Sequence, residues 1–334
     1  MGHHQVPVGM LIFWAGVIFW IGNTVVRTGS AGFTALWSSL LFLAEMVVIT
    51  SATRTIRLNQ LAALYCWGGA MMSVVWLIDY GFTILQPDHH SVSRNVFTPF
   101  LEESLKFAPV LFFLWRQRRA RLWSMGASDI LLLAAASGAG FGLVEDAFIQ
   151  HHFGLWRPVS WLPTTAILGT GLTVGHQTWT ALAGIALGLA LLWRPRKPFV
   201  YLLGASGFLW SMLDHFRNNF SVDRSGFIVT FLNFVAAHGW NTLYLFTLGV
   251  ILVVASDLYV VRGTLSRSPE LKIPPLSGGL QGINRAWRFL LRRRELAYLM
   301  FKSRQLTGRH RAELILRGNA IDQSLAWFHY RGTA

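Results

Sequence analysis

The chain has 334 residues, 53% of them hydrophobic and only 13% charged, with a formal net charge of +14. A soluble domain carries about 25% charged residues, so this composition excludes an ordinary water-soluble globular protein. The single cysteine, Cys66 in an apolar run, excludes a disulfide framework and a cysteine-based metal site.

Apolar runs of spanning length follow in order at Val8–Val26, Phe33–Ala52, Leu61–Leu85, Val96–Trp115, Ser128–Ile149, Leu162–Trp193, Phe199–Phe220 and Phe227–Val254. They predict an all-α, polytopic membrane bundle of about eight transmembrane helices. The sixth run exceeds what a bilayer needs, so it tilts or begins along the interface. The first run is long enough to span and lacks a basic start, so no cleavable signal peptide is expected.

The loops alternate in charge. Arg54 and Arg57 follow the second run, Arg116, Arg118, Arg119 and Arg121 the fourth, and Arg194, Arg196 and Lys197 the sixth. The other loops carry one positive charge each: Arg27, Arg94, Arg157 and Arg224. By the positive-inside rule both termini are cytoplasmic and the protein resides in the inner (cytoplasmic) cell membrane.

After the last run the composition changes. Residues 262–334 hold 14 Lys/Arg against 4 Asp/Glu, or +10. The predicted partition is a membrane domain over 1–261 with its core motifs at 96–220, a Ser/Pro/Gly linker over 262–282 and a basic cytoplasmic tail over 283–334. The tail mixes apolar and basic residues, as in Ala286-Trp287-Arg288-Phe289, and reads either as an amphipathic helix on the anionic inner leaflet or as a short helical extension. No nucleic-acid partner is predicted.

Ionisable groups interrupt the apolar runs at Glu102, Glu103, Lys106, Glu145, His176 and His215. A charge in hydrocarbon costs several kcal/mol even on lenient scales, roughly 2.5–3.5 each, so such groups need a function or a partner. At about 1.5 Å rise per residue, Glu102 lies roughly 20 Å from the basic end of its run, and Glu145, His176 and His215 roughly 25 Å from theirs. Four helices thus carry polar groups to one layer in the outer half of the bilayer. Lys106 follows Glu103 by three residues and Glu102 by four, so it can reach either acid. His215 and Asn219 share a helix face by the same spacing.

Leu101-Glu102-Glu103-Ser104-Leu105-Lys106 has the form EExxK, Gly140 to Glu145 the form GFxxxE, and His215 to Asn219 the form HxxxN, with His176 between the last two. In this order the motifs resemble the PrsW family of intramembrane proteases, related to the CAAX prenyl endopeptidases and bacteriocin-processing proteins. That wider group has EExxxR and FxxxH, so Lys106 and Glu145 favour the PrsW branch. The resemblance implies site-1 type cleavage of a membrane-anchored protein substrate, such as an anti-sigma factor, near the extracytoplasmic face. It departs from the family in the glycine after His176, eight residues on at Gly184, and in a competing His238-Gly239 pair in the eighth run.

These residues suggest a mechanism. Glu145, His176 and His215 are expected to hold a divalent cation, zinc by the nitrogen and carboxylate donor set, with a position open for water. Glu102 or Glu103 is the general base, with Glu103 paired to Lys106, and Asn219 stabilises the oxyanion. His238 is a further ligand or supporting candidate. Asp79 and Asp257, near run ends, read as structural, and the abundant tryptophans as interfacial belts. Two competing classes share the mid-membrane charges: an ion- or proton-coupled transporter, which calls for inverted repeats, and a non-catalytic scaffold of the same superfamily.

Overall fold

The computed structural model describes residues 8–85, 96–117, 122–153, 174–193, 200–220, 226–266, 280–305 and 308–330. Among these residues 92% are helical and none is in a strand. The helices are α1 (Val8–Arg27), α2 (Ser30–Ile49), α3 (Leu58–Leu85), α4 (Thr98–Arg116), α5 (Ala127–Phe153), α6 (His176–Trp193), α7 (Val200–Phe220), α8 (Phe227–Ala236), α9 (Trp240–Leu265), α10 (Leu280–Ser303) and α11 (Gly308–Tyr330). Four stretches are long and apolar enough to cross a membrane: Ser30–Ile49, Leu58–Leu85, Ala127–His152 and Thr230–Thr264. This supports a multi-pass membrane protein. Of the eight predicted spans, α1, α4, α6 and α7 fall outside this set, and the last three carry most of the polar motifs.

The centre of the bundle is α5, which packs most extensively against α6, α3 and α2. Its sequence explains the position. Residues Leu131 to Ala136 and Ala139 are fully buried, and the run of alanines and glycines lets neighbouring backbones approach closely. A methyl group at Gly140 would overlap the carbonyl of Tyr65 on α3, and one at Gly68 the carbonyl of Ser137 on α5. The α3–α5 contact is thus built backbone to backbone, and it fixes the depth of Glu145, five residues beyond Gly140.

Two predicted spans differ from expectation. The eighth is broken: α8 ends in a turn where Ala237 and His238 have φ of 46° and 55° and Gly239 has φ of 97°. Left-handed backbone costs a non-glycine residue about 1–2 kcal/mol. Part of that cost is offset by Asn241 Nδ2, which donates to the Val235 carbonyl across the turn at 2.7 Å. The uninterrupted hydropathy of 227–254 conceals this break. In the sixth, His176 is the opening residue of α6 rather than a mid-helix residue, and Val174 and Gly175 before it are non-helical. Residues 162–173 lie outside the described residues, as does most of the predicted linker.

At the opposite end from the polar motifs, α10 docks against the base of the bundle. Tyr298 donates its hydroxyl to the carbonyl of Thr53 at 3.0 Å, Lys302 Nζ to that of Met125 at 2.7 Å and Arg294 Nη1 to that of Arg54 at 3.1 Å. Ala297 and Tyr298 are buried in the bundle core, while Phe289 and Leu299 pack with Trp123 and with Leu314 and Ile321 of α11. One face of the predicted amphipathic helix therefore covers protein. Beneath it, Asp129 accepts from the backbone N–H groups of Thr55, Ile56 and Gly126 at 2.6, 2.8 and 2.9 Å. Asp257 on α9 accepts from the N–H groups of Ala127 and Ser128 at 3.0 and 2.7 Å, capping α5. The structural reading of Asp257 agrees with this geometry.

Candidate active site

Helix α4 places Glu102, Glu103 and Lys106 on its buried face, at 3%, 2% and 0% exposure. The two acids part company there. Lys106 Nζ lies 2.5 Å from Glu103 Oε1 but 3.9 Å from Glu102 Oε2. The ammonium sits over the ring of Phe141 at 4.8 Å and near that of Trp179 at 5.6 Å, both favourable cation–π positions. The Ser137 hydroxyl donates to the Lys106 carbonyl at 2.6 Å, joining α4 to α5 at this level.

The two histidines come from different helices and meet edge to face, ring centroids 5.2 Å apart. His215 Nδ1 lies 2.8 Å from Glu103 Oε1; an ionised carboxylate only accepts, so Nδ1 carries the hydrogen. The Nε2 lone pair of a neutral His215 then faces Glu102 Oε2 at 3.5 Å. Lys106 Nζ lies 2.8 Å from His176 Nδ1, and an ammonium only donates, so that nitrogen accepts. The same Nδ1 is 3.9 Å from Glu102 Oε2, while His176 Nε2 lies 2.9 Å from Glu145 Oε2. Every one of the four helices placed at a common depth by the sequence therefore contributes to one cluster.

The donor set fits a divalent cation. One ligand atom each from Glu102, His176 and His215 lies within 4.8 Å of the others. For zinc at about 2.0–2.1 Å, tetrahedral ligand atoms stand about 3.4 Å apart, close to the 3.5 Å between Glu102 Oε2 and His215 Nε2. Glu102 Oε2 is buried without a hydrogen-bond donor, whereas Glu145 Oε2 faces the hydrogen-bearing His176 Nε2 at 2.9 Å. Orphaned carboxylate oxygens in an apolar bundle cost several kcal/mol if nothing positive meets them.

Comparison with known protein families supplies the deciding observation. The model of the PrsW family intramembrane metalloproteases matches residues 57–261, more than half of the chain. The chain belongs to this family. No curated protein and no solved structure matches it. Membership makes the protein a membrane metalloprotease, a peptide hydrolase acting within the bilayer.

The remaining predicted PrsW-type residues are less central. Asn219 is half-buried near the end of α7, one turn beyond His215. His238 is exposed on the turn between α8 and α9 and is not part of the cluster, because the break in the span carries it outward. Sequence reasoning missed Trp179, Asp214 and Arg217. Trp179 is 2% exposed and stacks on His215, with centroids 4.4 Å apart and planes 16° apart, so it is no interfacial belt residue. The spacing of Asp214 and Arg217 on one helix face was the available signal.

Proposed function

We propose that this protease cuts a membrane-anchored protein of the anti-sigma-factor kind near the extracytoplasmic face of the inner membrane, with zinc as its cation. The observation that carries the reading is how the ring nitrogens are shared. Each histidine turns one nitrogen toward Glu102 and the other toward a second carboxylate, Glu103 behind His215 and Glu145 behind His176. Carboxylate–histidine pairs of this kind fix tautomer and ring orientation at metal centres. On this reading Glu102, His176 and His215 hold the cation, and the roles expected for Glu102 and Glu145 are exchanged.

The cation, once bound, would polarise the scissile carbonyl and make water a nucleophile at neutral pH. The protein's own groups do the rest. Glu145 has the most open side chain of the three acids, 14% exposed against 5% for Glu102 and 2% for Glu103. It is the group proposed to take the proton from the attacking water and deliver it to the leaving amine. Lys106 balances the charge of Glu103. Its bond to His176 Nδ1 must be given up when that nitrogen faces a cation, with the Glu103 contact retained. Asn219 is the proposed amide donor to the developing oxyanion.

The basic end of the bundle is proposed to face the cytoplasm with both termini, following the charge alternation of the loops. Exposed Arg288 and half-buried Arg292 and Arg293, on the part of α10 not used for docking, would meet anionic lipid there. The test is co-expression with single-span regulatory proteins carrying tags on both ends. Cleavage is expected with the wild type and not with Glu102→Ala, Glu145→Ala or His215→Ala. Intact substrate in every culture, or cutting by all three variants, contradicts the proposal.

A further inference from the structure

Next to the catalytic cluster lies a second buried polar group that the proposed chemistry leaves unused. Trp179 Nε1 donates to Asp214 Oδ2 at 2.8 Å, and Arg217 Nε donates to Asp214 Oδ1 at 2.6 Å. Arg217 Nη1 continues to Asn233 Oδ1 on α8 at 3.3 Å. Asp214 and Arg217 are 2% and 7% exposed. A buried ion pair adds little net stability, because desolvation consumes most of the attraction, and its attested use is to impose one arrangement over others.

What is arranged here is the indole. Satisfying an indole N–H does not require charge, since Trp210 Nε1, also in this bundle, is served by the hydroxyl of Thr242 at 2.9 Å. Trp179 instead meets a carboxylate held on both oxygens, which locks its tilt. Its face lies on the ring of His215, and it stands nearly perpendicular to the ring of His176, with centroids 5.4 Å apart. Asp214 immediately precedes His215 on α7, so one short stretch fixes both the histidine and the surface against which its ring rests.

We propose that Trp179, clamped by the Asp214–Arg217 pair, is a positioning residue that sets the ring plane of His215, and that Asn233 extends the clamp to α8. The inference rests on His215 being a ligand, but it concerns ring orientation and is measurable without any metal. Arg217 thereby ties the plane of His215 to a helix whose other face is apolar and open, with Phe227 and Phe234 at 85% and 83% exposure.

The experiment uses the full chain in detergent micelles with 15N-labelled histidine, the His215 signals being assigned by their loss in His215→Asn. Wild type should show one sharp set. Trp179→Leu and Asp214→Asn should show broadened or doubled His215 signals, as the ring samples two orientations, and a Co2+ Kd raised about tenfold or more. Trp179→Phe, which keeps a ring but loses the donor, should fall between. A single sharp set and wild-type Co2+ affinity in the folded variants overturns the proposal; if only Trp179→Phe folds, its wild-type affinity does so. A wild type that binds no Co2+ defeats the metal assignment alone, while the His215 signals still decide the positioning role.

Discussion

The bundle buries charge at two levels, and the levels differ in how that charge is met. At the base, Asp129 and Asp257 accept from five backbone N–H groups between them, and Lys302 donates to a carbonyl. Those carboxylates cap helices and seat a loop. At the site, Glu102 keeps a buried oxygen without a donor, beside two histidines that each turn a nitrogen toward it. Both levels pay desolvation, yet only the lower one is repaid by the protein alone. A buried carboxylate oxygen that no donor meets, facing two imidazole rings, marks where a cation can bind.

Paired substitutions sharpen this contrast. Glu102→Gln, which removes a proposed cation ligand, should abolish most of the cleavage while leaving the thermal midpoint of the purified protein close to that of wild type. Asp129→Ala should do the reverse of that selectivity. It leaves three buried N–H groups without an acceptor, at about 1–3 kcal/mol each, so the protein should lose its monodisperse elution and melt far below wild type. Loss of fold in Glu102→Gln, or a wild-type melting curve in Asp129→Ala, would erase the distinction between the levels.

A smaller effect concerns pH at the base. Burial in the α10 contact pulls the Lys302 ammonium down from 10.5 to about 8. The unfolded chain therefore binds more protons than the folded one between about pH 8 and 10.5, and stability should rise with pH across that window. Below pH 8 the buried charge destabilises at full strength. Thermal midpoints measured from pH 7 to 10 should climb in wild type and lose this slope in Lys302→Met. A slope of equal size in the variant would assign it to other groups.

Much of the site was legible because charge in an apolar run is costly and therefore conspicuous. Glu102, Glu103, Lys106, Glu145, His176 and His215 stood out one by one, and helical rise put them at one depth. The pairing of Glu103 with Lys106 was legible from spacing on one helix. The division of labour among the carboxylates was not, since it depends on which nitrogen of each histidine faces which acid across helices. Trp179 was hidden for the same reason, its role being set by a partner on another helix. The turn at 237–239 left no trace in hydropathy, because α8 and α9 are apolar on both sides of it. Amphipathicity announced α10 but could not say that Thr53, Arg54 and Met125 would cover its face.

The central claim is that Glu102, His176 and His215 together hold one divalent ion. Elemental analysis of protein purified without chelator tests it most directly, comparing wild type with Glu102→Ala and His215→Ala. About one zinc per chain in wild type and little in either variant is the predicted result. A wild type free of divalent metal after incubation with zinc, or variants that retain it fully, would contradict the account.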